Sequence, residues 1–328
     1  MSEVDISKIK YNVKAVLSSG KILELIGLCT SLSWEDQKGG IAGRADITLA
    51  NTKINEGYIS ELIELCSLIF IYADNNEVFR GVVWEWEYTS ALKKELDITA
   101  YDKMIYAAQS KANSYFSSGK STKTIVEAIC KEWGISVNYM WKSWTHGKLP
   151  INNKPVSEHI TSVLDEAETK LDGKYTALME KDVLIIKEQG INAEVFVFNT
   201  NNVISTEDKL SMRSLVKKVI IVGKAEDDKR TPIIDSVEGK TEYGVLQEII
   251  TKDKNKSLDD VKKEADNILK EKGKPEETIE VSTVDVPYVR KGDKVNLNAG
   301  NLKGYFIVEG VAHNAFKRTM NMELIRYE

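Results

Sequence analysis

The sequence predicts a mainly β protein with an α+β region in its middle, and three observations carry that reading. Apolar residues alternate with period two through the first hundred residues, the spacing turns helical between about 120 and 171, and period-two segments return beyond about 210, interrupted by one helix. At 328 residues the chain has room for two or three domains, at roughly 100 to 200 residues each. The expected division is a β domain over 1–102, an α+β domain over 103–200, and a second β domain over 201–328 with a helix inserted around 257–272.

In the first region Ala45, Ile47 and Leu49 alternate with Arg44, Asp46 and Thr48, which predicts a half-buried strand. Val82, Trp84, Trp86 and Tyr88 are expected on one face of a later strand, opposite Val83, Glu85 and Glu87. Leu96 to Ala100 repeats the alternation. The apolar patch from Tyr58 to Ile71 fits either a short helix or a strand. Turn signals at Lys38-Gly39-Gly40 and Asp74-Asn75-Asn76 separate these segments, so a small barrel or sandwich is expected.

Ser121 or Thr122 is positioned to cap a helix in which Ile125, Val126, Ile129, Cys130 and Trp133 share a face and Gly134 supplies the stop. A second helix is predicted from Ser157, with Ile160, Val163, Leu164, Ala167 and Leu171 on one side and Gly173 past its end. Tyr175–Met179 and Val183–Ile186 read as a strand pair. After the polar stretch Asn199–Asp208, strands are expected at Leu215–Val222 and Ile233–Val237. Leu258, Val261, Ala265, Ile268 and Leu269 then mark a helix over Ser257–Lys272. Four strands follow, at Thr278–Val284, Lys294–Leu297, Tyr305–Val311 and Thr319–Tyr327.

Hydrophobic residues make up 42% and charged residues 29%, a globular balance that excludes a disordered chain. The net charge of -5 comes from 45 basic and 50 acidic residues, so no dominant field draws the protein to a polyanion, and direct nucleic-acid binding is not expected. Even the charge-rich stretch Lys252–Glu277 holds lysines and carboxylates in equal number. No apolar run approaches the roughly 20 residues that span a bilayer. Met1–Val13 lacks the basic-then-apolar layout of an export signal, so membrane binding is not expected and synthesis in the host cytoplasm is. Cys29, Cys66 and Cys130 are odd in number and far apart, which fits neither a disulfide framework nor a metal site; buried free thiols are expected.

The search for chemistry returns no convergent set. His146, His159 and His313 lie in separate segments without metal-ligand spacing, and surface or satisfied structural roles are expected for them. The glycine pairs lack the phosphate-loop pattern, and no nucleophile elbow is present. Glu85 and Glu87 could in principle serve glycosidic cleavage, but a solvated sheet face accounts for them. No catalytic residue, cofactor or metal is expected. Trp141 and Trp144, in a polar stretch, are candidate interface anchors, but packing back onto their own domain is the reading preferred for them.

At Leu96-Asp97-Ile98-Thr99-Ala100-Tyr101-Asp102 a strand ends in an aromatic residue and an aspartate and leads into Met104–Ala108. Much later come Tyr243-Gly244, a helix with Ala265 and Leu269, then Val289-Arg290-Lys291-Gly292-Asp293-Lys294-Val295, and finally Gly304 to His313. In this order the segments resemble the XkdQ/YqbQ type of phage-tail baseplate hub protein, found in contractile phages, defective prophages and phage-tail-like bacteriocins, and the resemblance covers nearly the whole chain. It implies two tube-like β-barrel domains, an α+β region that intervenes in sequence and is mounted on the outside, and a helix inserted in the second barrel. It also implies a homotrimer in a virion or tail-like particle, touching the tail tube protein, the central spike and other baseplate proteins. Such a trimer adapts a sixfold tube to a threefold spike, without enzymatic activity. Tyr101, Asp102, Gly292, Asp293 and His313 are the motif positions; structural roles are expected for them, with Gly292 and Asp293 in a β-turn, Asp102 capping or ending a local element, and His313 facing outward. Two other functions fit the residues: an adaptor of a non-contractile tail, and a carbohydrate- or cell-surface-binding module built on the tryptophans.

Overall fold

Period-two sequence builds most of the molecule, and in the computed structural model it builds one long sheet. The structure describes residues 8–55, 57–90, 94–224, 231–240, 242–252 and 257–327. They divide into two units, the first formed by residues 1–206 and 280–328 and the second by 207–279.

The first unit begins with strands β1 (Tyr11–Val16), β2 (Ile22–Glu24), β3 (Cys29–Asp36), β4 (Arg44–Ala50), β5 (Lys53–Ile54) and β6 (Gly57–Tyr58). Helix α1 (Ile59–Leu62) follows, then β7 (Leu68–Ala73), β8 (Asn76–Thr89) and β9 (Glu95–Tyr101). The apolar patch at 58–71 therefore holds both the short helix and a strand. Ala45, Ile47 and Leu49 are buried, as their alternation predicts.

The middle of the chain supplies α2 (Met104–Gln109), β10 (Lys111–Phe116), α3 (Thr122–Glu132), β11 (Ser136–Tyr139), β12 (Leu149–Pro155), α4 (Val156–Glu168), β13 (Tyr175–Glu180) and β14 (Val183–Glu188). The Ser121 side chain caps α3 by accepting from the Thr124 amide at 3.2 Å. The apolar faces of α3 and α4 meet over the inner face of the β11-β14-β13 sheet. There Ile125, Ile129, Ile160, Leu164, Leu184 and Ile186 are fully or almost fully buried.

The remaining elements are β15 (Val197–Asn199), β16 (Val203–Ser211), β17 (Lys218–Val222), β18 (Ile233–Glu238), β19 (Gln247–Thr251), α5 (Leu258–Lys272), β20 (Glu276–Val284), β21 (Lys294–Ala299), β22 (Leu302–Asn314) and β23 (Thr319–Arg326). β16 occupies part of the stretch read as polar loop. Its side chains are mostly exposed, so hydrophobic alternation gave no signal there. In the second unit α5 lays Val261 and Ala265 on Val219 and Ile221 of β17, and Leu258, Ile268 and Leu269 pack around them. Ser257 caps this helix by accepting from the Asp260 amide at 3.1 Å.

Strands from both ends of the chain share a single sheet in the order β16-β20-β23-β22-β3-β4-β9-β8-β7-β1-β2, with β21 beside β22 and β15 beside β21. The join is the antiparallel pairing of β22 with β3, which sets His313 opposite Trp34 and Ala312 opposite Glu35. Among the described residues the fold is mainly β with an α+β region, the predicted class.

Two expectations at residue level are corrected. The tryptophan face of β8 is not its buried face. Val83 is buried while Trp86 and Tyr88 remain 38% and 36% exposed. Phe79, Gly81 and Val83 face the core up to a register shift between Val83 and Glu85, and from Glu85 to Thr89 the strand runs on past the core with its side chains exposed. Among the thiols, Cys130 is buried and Cys29 half-buried, and burial pushes both up to about 12. Cys66 is exposed, at φ 68° in the turn before β7.

Ile160 is fully buried between the helices and the sheet. Ile160→Ala is expected to lower the unfolding free energy by about 2–5 kcal/mol, measured by chemical denaturation followed by tryptophan fluorescence.

Candidate functional site: a buried charge cluster joining three regions

The turn that leads into β21 brings together the charged residues of the Val289–Val295 motif. The Asp293 amide donates to the Arg290 carbonyl at 3.2 Å, closing a β-turn over Arg290–Asp293. The Asp293 carboxylate accepts from the Arg290 amide at 2.9 Å and braces the same turn. Gly292 takes φ 86° at the third position, where an L side chain would be strained. A Cβ there would also stand 2.5 Å from the Thr176 methyl of β13. The glycine thus serves both the turn and the close approach of β13.

From this turn Arg290 reaches Asp36 at the end of β3. Its Nε donates to Oδ2 at 2.6 Å and its Nη2 to Oδ1 at 3.1 Å, a bidentate pair. The same Nη2 donates to the Met179 carbonyl of β13 at 3.0 Å. The Lys291 amide donates to Asp36 Oδ2 at 3.4 Å, and the Lys291 ammonium donates to the Gly40 carbonyl. Lys187 of β14 lies 3.6 Å from Asp293. One turn is therefore fastened to the amino-terminal sheet through Asp36 and to the α+β region through Met179, Thr176 and Lys187.

Burial by itself would raise the Asp36 carboxyl, but the Arg290 guanidinium overrides it and holds the group below the ordinary carboxylate value. Arg290 is correspondingly held above its ordinary value by Asp36, against burial. Burial lowers Lys291 and raises Asp293, with neighbouring charges offsetting part of each shift.

Asp102 lies beside this pair. Its Oδ2 accepts from the Gly43 amide at 2.6 Å and its Oδ1 from the Met104 amide at 2.9 Å, so it ties β4 to the start of α2. Burial outweighs these two amides and pushes the carboxyl up to about 7, with the charge of Asp36 adding to the effect. Tyr101, the residue before it, is half-buried at the end of β9, paired with Arg44 and Val82.

A second buried group stands at the β3–β22 join. His313 is 1% exposed, which corrects the outward orientation expected of it. Its Nδ1 lies 2.7 Å from Asp285 Oδ1 and its Nε2 3.0 Å from the Val289 carbonyl. Tyr11 of β1 donates to the other oxygen of Asp285 at 2.5 Å, and the imidazole stacks on Trp34 at 4.8 Å. Paired to two strands and to the turn after β20, the ring has no outward side.

The other sequence candidates scatter. Trp141 is only 6% exposed and packs against Tyr175 in the α3–α4 core, so its indole is not offered to a partner. Trp144 is 39% exposed. His146 is buried, with Nε2 2.9 Å from Thr122 Oγ1, and His159 is buried with Nδ1 2.8 Å from Ser114 Oγ. Glu85 and Glu87 are exposed on β8. Among the described residues no group of three or more histidine, cysteine or carboxylate side chains is placed to hold a metal. Asp36, Trp34, Asp285 and Tyr11 were not singled out from sequence, because each gains its meaning only from a partner far along the chain.

Two outcomes follow from the cluster. Arg290→Met leaves Asp36 charged and unpaired, and is expected to cost about 3–5 kcal/mol. Adding Asp36→Leu is expected to recover most of that loss in the same denaturation assay, since the desolvated charge goes with its partner. For Asp102 the folded state holds its proton to a higher pH than the unfolded chain does, so its contribution to stability falls as pH rises from about 4 to about 7. The advantage of the wild type over Asp102→Asn is expected to shrink across that window, read from denaturation midpoints at successive pH values.

The fold recurs in solved structures. It superposes on the 43 kDa tail protein of prophage MuSo2 from Shewanella oneidensis with a TM-score of 0.73 at 14% identity, over 97% of this chain and 98% of that one. It matches a tail protein from Neisseria meningitidis with a TM-score of 0.68 at 11% identity, over 97% of both chains. A type VI secretion system component from E. coli matches at 0.55 and 12% identity, over 93% of this chain and 76% of that one. No curated protein matches the sequence. The family model described as YQBQ-like matches residues 32–325, a span that holds both the Asp36–Arg290 cluster and the β3–β22 join, and the chain belongs to that YQBQ-like family.

Proposed function

We propose that the protein is a structural component of a phage or phage-like tail, and within it the baseplate hub. In this reading three copies surround the tail axis, and each presents two tube-like barrels, over 1–102 and over 201–328, with the intervening α+β region 103–200 mounted on the outside. Three pairs of barrels then meet a sixfold tail tube on one side and a threefold spike on the other. The partners are the tube protein, the spike and neighbouring baseplate proteins, in a virion or tail-like particle assembled from cytoplasmic protein. The role is adaptation of symmetry and transmission of load, with no catalysis.

The observation that carries this reading is the YQBQ-like family match over most of the chain. The fold shared with a prophage tail protein and with a second tail protein supports it. So does the character of the buried cluster, whose charges brace the Arg290–Asp293 turn and fasten it to β3 and to the β13–β14 strand pair. Paired buried charges of this kind add geometric specificity more than net stability, which suits a part whose shape is its function. A ring of subunits needs heterologous contacts that close by rotation.

Light scattering across a range of protein concentrations tests the assembly. The expected mass is three times that of the 36.9 kDa protomer. A monomer at every concentration, persisting when the adjacent tail proteins are co-expressed, would exclude the trimeric hub.

A further inference from the structure

Strands β10 and β12 form a two-stranded sheet, and among the described residues no third strand joins it. Its inner face belongs to the α+β core, where Phe116 and Ile151 are buried and Ser114 Oγ lies 2.8 Å from His159 Nδ1. Two strand edges remain, and the sequence treats them differently. β12 carries Pro150 and Pro155 and an extra residue at a register shift, where Asn153 takes φ 52° and gives its amide to the Asn113 side chain at 2.7 Å. Prolines and bulges withhold donors and bend an edge away from a newcomer. β10, from Lys111 to Phe116, has neither a proline nor a left-handed residue. The Val156 amide donates to the Ser110 carbonyl at 2.9 Å, so position 110 bonds toward β12. The next residue, Lys111, stands opposite Pro155 and turns its amide and carbonyl to the open side.

Charge marks the same place. Residues 103–157 hold eight lysines against two glutamates and no arginine, a balance of +6 in a chain whose net charge is -5. The two strands and their adjoining loops, 110–121 and 140–157, contain five of those lysines and no carboxylate. Lys154 pairs with Glu158 at 3.3 Å and Lys142 with Glu188 at 3.4 Å. Lys111, Lys120 and Lys148 are exposed and in no ion pair among the described residues. Lys111 opens β10, while Lys120 lies past its other end, with its ammonium 5.8 Å from the Phe116 ring. Tyr115, on the same strand face as Lys111, is 63% exposed. An open strand edge offers both donors and acceptors, which an extended polypeptide satisfies and a phosphate polymer, lacking amides, does not. Unpaired lysines repel a second copy of the same edge and draw a strand that bears carboxylates. The arginine fork that favours phosphate is absent from the region.

We propose that the open edge of β10 receives an extended acidic segment of another polypeptide as a third strand. The backbone of the segment pairs with Lys111–Phe116, its aspartates or glutamates face Lys111, Lys120 and Lys148, and an apolar side chain lies on Tyr115. This contact is separate from the cluster at Arg290 and does not depend on the hub reading.

Two measurements test it. First, labelled peptides that alternate valine with glutamate, or valine with lysine, are titrated with the full chain and followed by fluorescence anisotropy. The glutamate peptide is expected to bind at least tenfold tighter than the lysine peptide, and to lose at least tenfold when its backbone amides are N-methylated, which removes the donors and keeps the charge. Inorganic polyphosphate at equal charge is expected not to displace it. Lys111→Glu is expected to weaken the glutamate peptide at least fivefold while leaving the circular dichroism spectrum and melting curve unchanged. No binding of the glutamate peptide, equal binding of the lysine or N-methylated peptide, displacement by polyphosphate, or an unchanged affinity in folded Lys111→Glu overturns the proposal. Second, hydrogen exchange read by mass spectrometry places the bound glutamate peptide. Slowed exchange over residues 111–116 is expected, and protection confined to other segments overturns it. The peptide comparisons use the wild-type chain and need no tail assembly, so a failure of the β10 edge and a failure of the hub reading are told apart.

Discussion

Asp36 and Arg290 stand 254 residues apart and form the one charge pair on which the arrangement of the first unit depends. Neither group would be tolerated alone where it lies, since an unpaired charge taken out of water costs several kcal/mol. Satisfying both requires the end of β3, the Arg290–Asp293 turn and the β13 carbonyl of Met179 to arrive together. Once they do, the turn that starts β21 is set, Gly292 can close on Thr176, and β22 is delivered alongside β3. The long sheet and the seat of the α+β region both follow from that meeting.

Hydrophobic burial supplies the bulk of the stabilisation, in the β-strand core around Ile47, Ile71 and Ile98 and in the helical core around Ile129, Ile160 and Leu164. Burial is non-directional, however, and would accept many placements of one layer against another. The buried polar groups narrow that freedom, because Arg290 Nε and Nη2, the His313 ring and the two oxygens of Asp102 meet their partners only in one arrangement. For a part proposed to transmit force between a tube and a spike, such definition matters more than added stability. A joint that could slip by one residue would turn every side chain of a strand to the other face.

The sequence by itself determined the local elements and their class. The capping hydroxyl of Ser121 or Thr122 announces α3 because a cap is a short-range device, Leu258, Val261 and Ala265 announce α5 by their helical spacing, and Ala45, Ile47 and Leu49 announce β4 because alternation is a property of adjacent residues. The motif around Gly292 was legible as a turn for the same reason, and its order with the other segments pointed to the family. What only the tertiary structure decided was every feature whose partner is remote. Trp86 and Tyr88 share a strand face with Val82 and Trp84 in the sequence, but the core takes the opposite side of β8 at Val83, and the reach of the strand past the core leaves both open. Whether Trp141 packs inward or serves a partner was open in its polar stretch and is settled by the core around Tyr175, while His313 looked peripheral and is enclosed by Asp285, Val289 and Trp34. Asp36 carried no sequence signal at all, since a carboxylate at a strand end is ordinary until an arginine from the far end of the chain is brought against it.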